Sequence, residues 1–263
     1  MGWSLRPARR VGWLLPLPYP AGVANPAPKA RPILVAQGWR KRTGDFYTRP
    51  LAPGVEGLLS LAPNRGLPHQ WRLQPSVGVI HEKVNALAAA LTGVTVKSPY
   101  PLATIRQSLL RLLEGPDARH GDRWLIAAEA TDRNEATFQD VAATARDVGL
   151  PWMEKRTTLE AVVYELRDAN GPYRRTPYLA AALWLSGEAE AAEAQVASVE
   201  SQFRRPPPEL PAALRGLRVT SFGSSSPPEG WPRPAFDAFA ARLRQGVAEY
   251  PDGPPDSWRP RAV

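Results

Sequence analysis

Between Ser76 and Gly93 the chain changes its period once, and that change limits what it can fold into. SVGVI, Ser76 to Ile80, is a short apolar run suited to a buried strand, and HEKVNALAAALTG follows it without a linker. In the second stretch Val84, Leu87, Ala88 and Leu91 fall on one helical stripe, which Gly93 closes. Strand signals also precede the switch. Trp39–Arg42 and Phe46–Arg49 flank a Thr-Gly-Asp turn, Val55–Leu61 runs between two Pro-bounded turns, and Trp71–Leu73 is cut from the Ser76 strand by Pro75. These short strands at turn-length spacing predict an antiparallel meander. Strands first and helices after predict an α+β fold, with a short antiparallel sheet of three to five strands packed by several helices.

The helices carry their own punctuation. A short one is expected over Arg31–Gln37, with Pro32 in its first turn and Gly38 at its end. Another is expected over Ile105–Leu113, where Ile105, Leu109 and Leu112 have helical spacing, and RWLIAAE (Arg123–Glu129) reads as a buried strand. Asp132 with Glu135 forms a capping box for a helix that Gly149 and Pro151 stop; Thr157 with Glu160 repeats the device. Thr176 as N-cap and Pro177 at the first helical position open a helix that turns at Gly187. The next helix has its stripe at Ala192, Val196, Val199 and Phe203, and the two form an αα-hairpin. LRVTSFG is a candidate short strand, and Ala235–Glu249 is an amphipathic helix carrying Phe236, Phe239, Leu243 and Val247. The predicted organisation is a poorly ordered, basic, Pro/Ala-rich leader over 1–28 and an α+β domain over 29–203. A Pro-rich linker, a C-terminal helical extension and a fraying tail follow over 204–263.

Charge is distributed unevenly. The net +8 arises wholly in the first fifty residues, where nine cations face Asp45 alone, whereas the rest of the chain balances 24 cations with 24 anions. A localised excess of this kind predicts a basic arm or face and an acidic partner. With no cysteine, disulfides, thiolate nucleophiles and Cys-containing metal sites are excluded, and a reducing, cytoplasmic setting is favoured. The apolar run Val11–Leu15 is broken by Pro16, Pro18 and Pro20, too short for a signal peptide, and no run approaches a membrane span, so no membrane association is expected.

Motifs for catalysis are missing. His69, His81 and His120 lie far apart, and His81–Glu82 lacks the second histidine of a zincin helix, so no metal site is expected. There is no Gly-x-Ser-x-Gly elbow. GVTVKS (Gly93–Ser98) has Val96 where a phosphate loop needs glycine, and no Gly-x-Gly-x-x-Gly follows a strand, so neither a catalytic residue nor a cofactor is assigned.

One segment joins the charge to the aromatics. GWRKRTGDFYT places Arg40, Lys41 and Arg42 between Trp39 and Phe46–Tyr47, with Arg49 just beyond and Arg6, Arg9 and Arg10 upstream. Cations interleaved with rings suit single-stranded nucleic acid. Within a hairpin, however, alternation puts Trp39 and Lys41 on one face and Arg40 and Arg42 on the other. The rings then enter the core and the cations coat the edge.

Four stretches together resemble an uncharacterised actinobacterial protein family: GWRKRTGDFYTRPLAPGVEGLLSL, NRGLPHQWRLQPSVGVIHEKVNALAAAL, VGLPWMEKRTTLEAVVYEL and TPYLAAALWLSGEAEAA. Trp39 stands where the usual aromatic is Phe. The N-terminal part is similar to a widespread bacterial domain of unknown function. The resemblance covers about residues 30–200, makes His81 a motif position, and implies a layout without catalytic residues. By analogy with small domains of this kind, a defence or immunity accessory is expected. Three readings stay open. The first is a non-enzymatic protein that binds a macromolecular partner, foremost a protein. The second is a nucleic-acid-binding module using residues 1–50. The third is an enzyme of unassigned class built around His81, Glu82 and the Arg40–Arg42 cations.

Overall fold

A computed structural model of the chain describes residues 27–65, 70–93, 103–116, 118, 123–127, 131–168, 172–204 and 233–258. The predicted 1–28 leader therefore falls almost wholly outside the described residues, as do His69, His120 and the LRVTSFG segment.

The fold is α+β. After a 3-10 turn, α1 (Arg31–Ala36) starts with Pro32 in its first turn. It ends where Gly38 takes φ +86°, with the Gly38 and Trp39 N–H groups donating back to Val35 and Leu34. The chain then enters a five-stranded antiparallel sheet made of β1 (Arg40–Lys41), β2 (Phe46–Ala52), β3 (Val55–Ser60), β6 (Ser76–His81) and β7 (Ile105–Ser108), in that spatial order. A second sheet orders β4 (Pro63–Arg65), β5 (Gln70–Leu73) and β8 (Leu125–Ala127). The expected single meander is thus split in two. Ala62 supplies the departure: it holds φ +40°, the only non-glycine described with positive φ, and swings the chain out of the first sheet after Ser60. The chain returns at Pro75, so β6 pairs directly with β3, Leu59 opposite Val77.

α2 (Glu82–Thr92) follows β6 at once and buries Val84, Leu87, Ala88 and Leu91, the stripe read from the sequence; Gly93 closes it at φ +71°. The helix expected over Ile105–Leu113 proves to be two elements. Ile105 pairs with Val79 in β7, and only Leu109–Glu114 is helical (α3). The close approach at Gly78 permits this, since a Cβ there would lie 2.7 Å from both Ala103 Cβ and the Ile105 carbonyl. The edge of β6 is satisfied by a strand, which outweighs a three-residue helical pattern.

α4 (Thr131–Thr144) already includes Asp132, which therefore lies in the first turn rather than capping it. Gly149 and Pro151 do not stop the helix. A π-helical turn over Ala145–Gly149 leads straight into α5 (Leu150–Glu154), with Gly149 at φ −67°. Gly149 is there for contact: a Cβ would stand 2.9 Å from Val77 Cγ1, so the helix lies hard against the sheet. Pro151 falls in the first turn of α5, where its missing N–H costs least. α6 (Leu159–Asp168) is capped by Thr158, whose hydroxyl accepts from the Ala161 N–H at 3.3 Å, while Thr157 donates to the Glu154 carbonyl.

α7 (Pro172–Leu185) starts ahead of Thr176, so Pro177 stands inside it, and burial of the Ala180–Trp184 stretch overrides that proline. Its C-terminus closes as the sequence predicts. Gly187 has φ +79°, its N–H donates to Trp184, and the Glu188 N–H donates to Leu183. α8 (Ala189–Arg204) completes the αα-hairpin, burying Ala192, Val196 and Val199. α9 (Arg233–Glu249) buries Phe236, Phe239, Leu243 and Val247 against α2 and α8. The tail, expected to fray, is fixed as far as Trp258: the Trp184 indole donates to the Tyr250 carbonyl at 2.9 Å, and the Trp258 ring meets Trp184 edge-on at 5.0 Å.

Candidate functional site

The hairpin that opens the first sheet is built around Gly44, which takes φ +57°. The Arg42 N–H donates to the Phe46 carbonyl, Arg40 lies opposite Thr48, and Lys41 lies opposite Tyr47. Opposite residues share a face, so the alternation read from the sequence holds. Trp39 and Tyr47 go into the core at 2% and 0% exposure, and Phe46 is half-buried on the other face. Burial, helped by the nearby Asp45 charge, pushes the Tyr47 hydroxyl up to about 12.

The cations have separate fates. Arg40 projects from the edge strand and is exposed, with no hydrogen bond or ion pair among the described residues. Lys41 folds back over the Tyr47 ring at 5.0 Å and donates to the Arg42 and Gly44 carbonyls, so it braces the turn. Desolvation lowers its pKa, with Arg31 adding to the effect and Asp45 opposing it. Arg42 crosses the outer face: Nε donates to Thr48 Oγ1 at 2.8 Å, and its guanidinium pairs with Glu56 at 3.3 Å. Arg49 donates from Nη1 to the Gln37 carbonyl at 3.0 Å, satisfying the C-terminus of α1. The structure therefore keeps Arg40 and Arg42 on one face, turns Lys41 to the other, assigns Arg49 to holding α1, and does not describe Arg6, Arg9 or Arg10.

Further cations lie before this edge and at the far side of the same sheet. Lys29 and Arg31 are exposed on the turn and helix that precede β1, and the Arg31 charge is felt at both Lys41 and Tyr47. Arg106 is exposed on β7 at the opposite edge of the same sheet face, in line with Arg40, Thr48, Leu58 and Gly78, and its Nε donates to Ser76 Oγ at 2.7 Å. The helical spacing of Ile105, Leu109 and Leu112 hides in the sequence the strand that carries Arg106.

His81 and Glu82 stand at the opposite end of β3 and β6. The His81 N–H donates to Thr104 Oγ1 at 2.9 Å, and Thr104 in turn donates to Asn85 Oδ1 at 2.6 Å. His81 Nδ1 is buried without a hydrogen-bond partner. Burial lowers the imidazole pKa, Lys83 lowers it further, and Glu82 acts the other way. Glu82 is exposed in the first turn of α2, where a carboxylate suits the helix N-terminus. Nδ1 therefore lacks, among the described residues, the proton partner within hydrogen-bond reach that a general acid–base pair uses. Of the Arg40–Arg42 cations, Arg40 stays on the edge strand, whereas the Arg42 guanidinium reaches Glu56, opposite Ile80.

Among the described residues no group of three His, Asp or Glu side chains could hold a metal ion, and no helix is long and apolar enough to cross a membrane. Compared with protein-family models, curated proteins and solved structures, the chain matches none of them.

Proposed function

We propose that this chain is a non-enzymatic binding protein whose β1–α1 edge takes an acidic surface of a partner protein. The observation that carries the reading is the division of the Trp39–Tyr47 segment. Trp39 and Tyr47 are in the core, Phe46 is half-buried, and Arg40 faces solvent from a sheet edge only two residues long, with Lys29 and Arg31 exposed on the turn and helix that precede it. Base stacking needs exposed rings beside the cations. With Trp39 and Tyr47 buried and Phe46 half-buried, the edge retains its charge and little exposed ring surface, which favours carboxylates over single-stranded bases. A short, charged edge strand also resists pairing with another sheet. Contact at this edge is therefore made by side chains, and the affinity falls with salt.

The test is fluorescence anisotropy of the full chain with a labelled glutamate-rich peptide and with a DNA duplex of equal charge, each at two salt concentrations. The glutamate-rich peptide is expected to bind, and Arg31→Glu/Arg40→Glu is expected to weaken it at least about tenfold, as reversal of two contact charges should. Peptide binding unchanged by the reversal would sink the proposal. Preferential duplex binding with a steep salt slope would transfer the site to nucleic acid.

A further inference from the structure

A recess of about 250 Å³ lies between α2 and the C-terminal tail, on a different part of the molecule from the basic edge. Two small side chains, Ala86 and Ala90, hollow out the helix side. Leu87 forms part of the floor, and Pro255 and Trp258 stand across from them. The wall opposite the helix is held in place rather than draped. The Trp184 indole ties down the Tyr250 carbonyl at 2.9 Å, Gly253 makes the turn at φ +118°, and the Trp258 ring packs edge-on against Trp184. Lys83 and Asp256 meet across the rim at 2.8 Å, with their side chains 63% and 85% exposed.

Size and chemistry narrow the occupant. A dry engineered cavity of about 150 Å³ accepts benzene, so this recess has room for a larger ring system. Apolar walls with a few convergent polar groups are the ordinary composition of a small-molecule site. The rim offers one cation and one anion side by side. A ligand with only a carboxylate would gain Lys83 and face Asp256, and a ligand with only an amine would meet the reverse. A zwitterion complements both charges at once, and an exposed ion pair is cheap to exchange for two new ones.

We propose that this recess binds a zwitterionic small molecule with a ring-sized apolar body, the chemistry of a free aromatic α-amino acid. Its carboxylate pairs with Lys83 and its ammonium with Asp256, while its ring lies against Leu87, Ala90 and Trp258. The pre-formed walls mean that little ordering is needed on binding.

The probe is 5-fluorotryptophan, followed by ¹⁹F line broadening with the full chain and competed with tryptophan, indole propionate, tryptamine and indole. Binding is expected below about 1 mM. Lys83→Ala and Asp256→Ala should each weaken it several-fold, and Ala90→Leu, which fills the hollow, should abolish it. Singly charged analogues should compete at least several-fold less well than tryptophan. Absence of broadening up to about 1 mM overturns the proposal, and so does undiminished binding by Ala90→Leu. Indole competing as well as tryptophan overturns the zwitterion assignment. Circular dichroism checks that Ala90→Leu is folded; if it is not, the two exposed rim variants decide, since neither removes a buried contact.

Discussion

Gly246 and Trp184 occupy one space: a Cβ on Gly246 would stand 2.2 Å from Trp184 Cη2, and 2.9 Å from Trp258 Cζ2. A glycine in the middle of a helix costs stability, and here it lets a fully buried indole lie across α9. The same indole ties down Tyr250, so one residue joins the αα-hairpin, the last helix and the tail. Gly246→Ala should therefore overpack the junction and destabilise the chain by about 1–3 kcal/mol. Urea denaturation checks the magnitude. Loss of near-ultraviolet circular dichroism from the Trp184–Trp258 pair would place the damage at this junction.

Arg40 and Arg42 are two residues apart and should behave oppositely. Arg40 is exposed with no partner among the described residues, so Arg40→Ala should leave stability within about 0.5 kcal/mol. Arg42 donates to Thr48, whose residue is fully buried, so Arg42→Ala strands that hydroxyl and should cost about 1–2 kcal/mol. Measuring folding and peptide binding on both variants separates the contact role from the structural one. Arg40→Ala should lose affinity and keep its denaturation midpoint.

The His81 environment makes a statement about acid stability. Its folded pKa is lowered from 6.5, mainly by burial, so the native state takes up a proton less readily than the unfolded chain. Above about pH 6.5 neither state is protonated there and the site has no effect. As pH falls below that value the unfolded chain gains the proton first, and stability is lost until the folded pKa is passed. His81→Leu removes this loss. Relative to wild type, the variant should gain stability between about pH 7.5 and about pH 5, read from urea midpoints at the two values. An unchanged difference between variant and wild type would mean that His81 titrates normally.

What the sequence displayed and what it hid divide along local and non-local lines. Gly38, Gly44, Gly93 and Gly187 all take the positive φ that their turn positions implied, and the α2 and α8 stripes are the buried faces, because such signals are contained in a few neighbouring residues. Gly149 carries a local helix-stop signal, yet it answers to Val77, more than seventy residues away. Ile105 has helical spacing locally, but its partner, Val79, lies across a sheet edge. The hairpin's division of rings from cations was legible, since alternation is local. Arg106's place in line with Arg40, and the recess between α2 and the tail, depend on register and on docking of distant segments.

Asn134 ends the second sheet. It is 5% exposed, and its side-chain amide imitates a neighbouring strand: Oδ1 accepts from the Ala127 N–H at 3.0 Å, and Nδ2 donates to the Ala127 carbonyl at 2.6 Å. Both backbone groups of this β8 residue are thereby satisfied by a residue of α4, and the edge offers them to no other chain. Asn134→Leu keeps similar bulk but leaves the two groups without partners, which should cost about 1–3 kcal/mol. Asn134→Asp keeps the acceptor but sets a buried carboxylate oxygen against the Ala127 carbonyl, so it should destabilise at least as much as Asn134→Leu. Hydrogen exchange at Ala127 tests the cause, since that amide should lose protection in Asn134→Leu well before the amides of β3 and β6, which the substitution does not touch.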